Sequence, residues 1–259
     1  MATQRTISAP ANAPAATFAA WRHLAFITLL AGFIGLGALP QTSLAATEGS
    51  GRLSTESRTV ADFSGIALRG SMTLVVSQGD KASVTVRADD NLLPLLETVV
   101  EGTRLQIGWK RGERIRTRST VTVTVVTPKL TALAAAGSGD VELGAFSTPN
   151  LKLSLAGSGN ARMAGLKTDE LGVSVSGSGD VRGNGQAGKL SVSIAGSGDV
   201  RLGDLPSDEV SVRIAGSGDA VVHANKTLAI SIAGSGDVAY SGDATVTRSV
   251  AGSGSVSKR

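Results

Sequence analysis

Cysteine is absent from all 259 residues. No disulfide framework, thiolate zinc site or lipid-modified N-terminal cysteine can therefore be built from this chain. Aromatic residues are almost as scarce. Beyond residue 45 the sequence holds only Phe63, Trp109, Phe146 and Tyr240, with His223 as the single histidine. A multi-histidine metal site is excluded, and a Ser-His-Asp triad would have to use His223, which reads as a structural or surface residue. Sugar clefts that combine polar groups with aromatic platforms find few platforms here. Acidic side chains are missing from the first 47 positions.

That acid-free start reads as an export signal. Arg5, Arg22 and His23 precede an apolar run over residues 24–39, and Ser43-Leu44-Ala45 places small residues where a signal is cut, leaving Ala46 as the new N-terminus. The run is shorter than the ~20 residues that span a bilayer, and its glycines weaken it as a helix. Cleavage is the expectation, with a retained anchor as the alternative and as the one route to a membrane. Without residues 1–45 the chain keeps 23 basic and 21 acidic side chains, so its formal charge falls from +4 to +2. That balance gives no reason to expect a nucleic-acid partner. Residues 46–59 read as a flexible mature N-terminus.

Glycine is plentiful, and its placement is periodic. A Gly-Ser-Gly-Asp motif begins at Gly137, Gly157, Gly177, Gly196, Gly216, Gly234 and Gly252, with Asn160 and Ser255 replacing the acid in two copies. A repeat of 18–20 residues suits one coil of a β-solenoid, in which each unit buries its apolar face only against its neighbours. Before each corner runs an alternating strand: Leu151, Leu153, Leu155; Leu171, Val173, Val175; Leu190, Val192, Ile194; Val210, Val212, Ile214; Leu228, Ile230, Ile232. These residues share one face, and Ser154, Ser174, Ser193, Ser211 and Ser231 share the other. A short strand follows each acid, and a third segment closes the coil. Arg248, between Val246 and Val250, takes an inward position and marks a blunted end.

The expected fold is all-β: a parallel β-helix, or β-solenoid, with about 18–20 residues per coil. Residues 131–257 form the repeat region, and residues 60–130 an N-terminal β region without an obvious repeat. The latter holds short strands around Met72–Val76, Val84–Val86, Leu105–Ile107 and Val121–Val125, with a turn at Pro94.

Corner chemistry accounts for the motif on its own. The glycines supply positive φ or close backbone approach, and Ser and Asp bond to neighbouring backbone. A functional reading starts from stacking, which would align Asp140, Asp180, Asp199, Asp219 and Asp237 as a ladder suited to Ca²⁺. Calcium-binding β-rolls, however, repeat every nine residues, which this chain does not. Carboxylate-pair chemistry on such a ladder is nonspecific. A second feature is the basic stretch over residues 110–118, where Arg114, Arg116 and Arg118 alternate. It reads as a charge-protected edge, or as a patch for acidic polysaccharide, lipid headgroups or a partner protein.

With these repeats, Phe63-Ser64-Gly65-Ile66 and Thr127-Pro128-Lys129-Leu130, the chain resembles the bacterial "putative auto-transporter adhesin, head GIN domain" family. The resemblance implies a β-helical, exported, envelope or surface domain without established catalysis. An autotransporter would carry a C-terminal membrane barrel, and no such segment follows the last corner here. The expectation is an exported, non-enzymatic binding or scaffold protein, periplasmic or at the cell surface, that needs no cofactor and meets a polysaccharide or an envelope protein. The alternatives are a β-helical polysaccharide lyase or hydrolase, and a calcium-stabilised structural solenoid.

Overall fold

Alternation of Val, Ile and Leu with small polar residues makes each repeat a strand, and the fixed period puts each strand beside its copy one coil on. In the computed structural model, which describes residues 46–259, that pairing is realised as a parallel β-solenoid. The expected signal over residues 1–45 lies outside the described residues. Leu44–Arg259 forms one compact unit. Among the described residues, no helix is long and apolar enough to cross a membrane.

Register is uniform along the strand that leads into each corner and shifts at bulges in the segment that closes the coil. Leu151, Leu171, Leu190, Val210, Leu228 and Val246 form one column; Leu153, Val173, Val192, Val212, Ile230 and Arg248 form the next. Every member is buried except those of the last coil. Each such aliphatic contributes roughly 1.5–3 kcal/mol against the entropy of ordering its coil. Arg248 ends its column, and beside it Val250 is 40% exposed, so the solenoid is blunted at this end. The outer serine row differs from expectation in one rung. Arg213 stacks between Ser193 and Ser231, while Ser211 stacks on Ser191 in the neighbouring row. Counted back from the corner glycine, Arg213 holds the third position that serine holds in the other coils, and Ser211 holds the fifth.

The region without a visible repeat also coils. Gly65–Gly70 pairs in parallel with Ala132–Gly137, and Thr73–Gln78 with Val141–Leu143. Residues 65–78 are therefore a coil on which the first motif coil stacks, with Gly70 (φ 120°) at its corner. On its other side lie Arg104–Trp109 and Thr122–Thr127, again parallel. Spatial order thus departs from chain order. Antiparallel strands close this end: Leu96–Glu101 on Arg104–Trp109, Ser83–Asp89 on Thr122–Thr127, and Leu53–Arg58 on Ser83–Asp89.

Residues 46–59 depart from the flexible segment expected of them. Thr47–Glu48 pairs with Ile115–Arg116, and Leu53–Arg58 covers a strand edge. The side chains of Leu53–Arg58 are exposed or, at Arg58, half-buried, so backbone pairing holds the strand and no apolar pattern announces it.

The two motif glycines do different work. The first has φ between 119° and 138° in all seven copies, a region that side chains avoid. The second packs against the backbone of the coil before: a Cβ on Gly179 would lie 2.0 Å from the carbonyl oxygen of Gly159. Replacing Gly179 by Ala is expected to cost about 3 kcal/mol, whereas Ser178→Ala, at the exposed tip, should stay within about 0.5 kcal/mol. Denaturant unfolding of the two variants checks the difference; equal midpoints would contradict it.

Candidate functional site

The acids of the corners are tied into the backbone. Asp140 Oδ1 accepts the N–H of Asn160 at 2.9 Å, and Asn160 Oδ1 accepts that of Asp180 at 3.2 Å. The pattern continues from Asp180 to Asp199 (3.1 Å), Asp199 to Asp219 (3.0 Å), Asp219 to Asp237 (2.8 Å) and Asp237 to Ser255 (2.8 Å). The position needs a side-chain oxygen and not a charge, which is why Asn160 fits. Among the described residues, no group of three or more His, Cys, Asp or Glu is placed to hold a metal ion. The motif serines are exposed along the tip of the edge.

Two residues past each corner lies a row that sequence reasoning missed. Glu142, Arg162, Arg182 and Arg201 stack in register, followed by Val221. The signal was legible in Asn160-Ala161-Arg162, Asp180-Val181-Arg182 and Asp199-Val200-Arg201. Like charges stacked directly are unfavourable. Here the ladder acids relieve them: Arg201 bridges Asp199 (2.7 Å) and Asp180 (3.4 Å), and Arg182 approaches Asp180 at 3.7 Å. The result is a face of mixed charge.

The basic stretch occupies the same edge. Residues 110–121 connect Arg104–Trp109 to Thr122–Thr127, the place taken in the stacked coils by the Gly-Ser-Gly-Asp corners. Arg114, Arg116 and Arg118 are exposed, while Ile115, Thr117 and Ser119 turn inward. The Thr117 and Ser119 hydroxyls donate to the Asp89 carboxylate, which is 1% exposed. This buried acid pins the loop. Arg116 meets Glu48 at 3.3 Å, both well exposed. Trp109, Arg116, Arg118 and Ser71 line a shallow groove beside it.

On another side of the solenoid a polar groove of about 540 Å³ crosses five successive coils. Thr148, Lys167, Asp169, Gln186, Asp208 and Asn225 line it. A hydrogen bond from the Lys226 ammonium (2.8 Å), helped by the Asn225 amide, holds the Asp208 carboxyl below the usual carboxylate range, and Lys226 is raised in return. Near it, His223 is half-buried, with Nδ1 2.8 Å from Ser241 Oγ and Nε2 3.2 Å from Asn225 Oδ1. The imidazole faces an amide where a triad would place a carboxylate, and Ser241 stacks on it in strand register.

Comparison with known proteins places this architecture. The profile of the family described as putative auto-transporter adhesin, head GIN domain, matches residues 62–244. A putative adhesin from Bacteroides fragilis shares the fold at a TM-score of 0.78 and 24% identity, covering 83% of this chain and 100% of its own. A putative lipid binding protein from Parabacteroides distasonis aligns at a TM-score of 0.69 and 28% identity, with the same coverage of 83% and 100%. A putative adhesin from that organism gives 0.68 and 25%, again over 83% and 100%. No curated protein matches the sequence.

Because the ladder oxygens already accept backbone N–H groups, Asp219→Asn should leave stability within about 0.5 kcal/mol, while Asp219→Ala strands the Asp237 N–H and should cost about 1 kcal/mol. Thermal unfolding with added calcium and with chelator should coincide. A rise of several degrees with calcium, lost in the Asn variant, would make the ladder a metal site.

Proposed function

Given that the chain belongs to the head GIN adhesin-domain family, we propose that it is an exported, non-enzymatic binding domain of the cell envelope or surface, whose ligand is an extended, repetitive polymer such as a polysaccharide. The observation that carries this reading is the groove over residues 147–225. It places at least one polar side chain on each of five coils, at the coil spacing of about 4.8 Å, so a linear ligand lying along it would meet a donor or acceptor at each step. The description of structural neighbours as adhesins, and of one as lipid-binding, supports binding over catalysis. The acid-free, apolar start of the sequence supports export. The reading needs no cofactor, and the backbone bonds of the corner acids give them a role that calls for no calcium.

Catalysis has one observation in its favour: Lys167, Asp169 and Asp208 line the same groove. Asp208, however, is held ionised by Lys226, which suits it poorly to donate a proton to a leaving group.

A glycan array probed with the protein is the direct test. Binding should strengthen with polymer length, and a Lys167→Ala/Gln186→Ala variant should lose roughly tenfold in affinity, as expected when two direct hydrogen bonds are removed. Cleavage of a polymer, abolished by Asp169→Asn, would replace this reading with the enzymatic one. Absence of binding to any glycan would refute the polysaccharide assignment.

A further inference from the structure

The net positive charge of the chain is concentrated in one loop. Residues 110–118 hold five basic side chains (Lys110, Arg111, Arg114, Arg116 and Arg118) and one acid, Glu113, for a net charge of +4. Residues 46–259 together carry +2, so everything else in them sums to −2. A loop this basic repels itself and is not what the position requires, since the equivalent corners manage with Gly-Ser-Gly. Of the five cations, only Arg116 has a carboxylate within 4 Å among the described residues. The loop is nonetheless held in shape, through Thr117 and Ser119 on the buried Asp89.

Its position is the second observation. The loop strand Ile115–Arg116 pairs with Thr47–Glu48, the first strand of the described chain. In the sequence, six residues separate the apolar run at residues 24–39 from Ala46. The cationic loop therefore lies beside the strand that follows that run in the chain. Trp109 stands beside it, half-buried and lining the same groove as Arg116 and Arg118, a residue type suited to the headgroup level of a bilayer.

We propose that residues 110–118 dock on anionic phospholipid headgroups, setting this end of the solenoid against a membrane and pointing the polymer-binding flank away from it. The contact is electrostatic and needs no insertion. It serves a retained N-terminal segment as a second anchor, and a cleaved chain as a reversible one.

The form beginning at Ala46 keeps the strand pairings and the core of the described residues, which make one compact unit, and removes the apolar run from the test. It should bind vesicles containing phosphatidylglycerol and not vesicles of phosphatidylcholine alone, with affinity falling steeply as salt rises. Trp109 is the only tryptophan in this form, so its emission should shift on binding. Arg114→Gln/Arg116→Gln/Arg118→Gln should weaken binding about 100-fold, at roughly fivefold per basic residue near an anionic surface. Arg162→Gln/Arg182→Gln, on the neighbouring row, should bind as the parent does. Arg118→Glu, which breaks no ion pair, tests the same point should the triple variant fold poorly, and should weaken binding at least fivefold. Binding to phosphatidylglycerol unchanged in the loop variants would overturn the proposal. So would equal loss in the Arg162 and Arg182 variant, or binding to polygalacturonate in place of vesicles.

Discussion

The approach of backbone to backbone at the corner governs this molecule. At the stacked Gly-Ser-Gly-Asp turns the carbonyl oxygen of the first glycine accepts the serine N–H one coil on and, at all but Gly216, that of the second glycine too, as Gly157 does from Ser178 (2.9 Å) and Gly179 (3.2 Å). In each coil that stacks on a preceding corner no side chain fits at either glycine, whereas the first coil, at Gly70-Ser71-Met72, keeps only the first of the two. The acid completes the turn by capping the next coil's N–H. These contacts repeat at a fixed rise, and every column on the outside of the solenoid inherits that rise. The regular spacing of surface chemistry is thus a consequence of the corner and not a separate design.

Two kinds of surface result. Along the flanks, side chains recur at strand spacing, and where they are polar they form extended ladders and grooves crossing many coils. At the ends, continuity stops and the chain spends residues on closure. Antiparallel strands, a buried aspartate and a basic loop finish one end, and Arg248 in an apolar column finishes the other. The repeated flank fits a repeated ligand, while the basic end fits an anionic surface. Reading the two as separate sites accounts for why charge is nearly balanced over the coils and concentrated in nine residues of the loop.

Much of this was legible in the residues. The glycine period gave the coil length, the Val/Ile/Leu alternation gave the core columns, and Arg248 gave the blunted end. The coil over residues 65–78 was not legible, because it lacks the second glycine and acid and because its stacking partner lies 67 residues away. The strand Leu53–Arg58 was invisible for another reason: backbone pairing alone holds it, with no buried side chain to leave a pattern. Asp89 could not be distinguished from any surface acid until Thr117 and Ser119 were found on it. The arginine row was within reach of the sequence, at a constant offset from the corner, and was passed over in favour of the acids. Arg114, Arg116 and Arg118 were singled out correctly as an alternating exposed set, but their place at the solenoid's end came only from strand pairing.

Native-state hydrogen exchange of the corner amides tests the central claim most directly. If corner contacts hold the coils together, the N–H groups of Ser178, Gly179, Ser197, Gly198, Ser217 and Gly218 should be protected as strongly as the strands beside them and open together with them. Those of Ser253 and Gly254 in the last coil should exchange first. Corner amides that exchange freely while the flanking strands stay protected would contradict the account, leaving the apolar columns alone as the source of the stack.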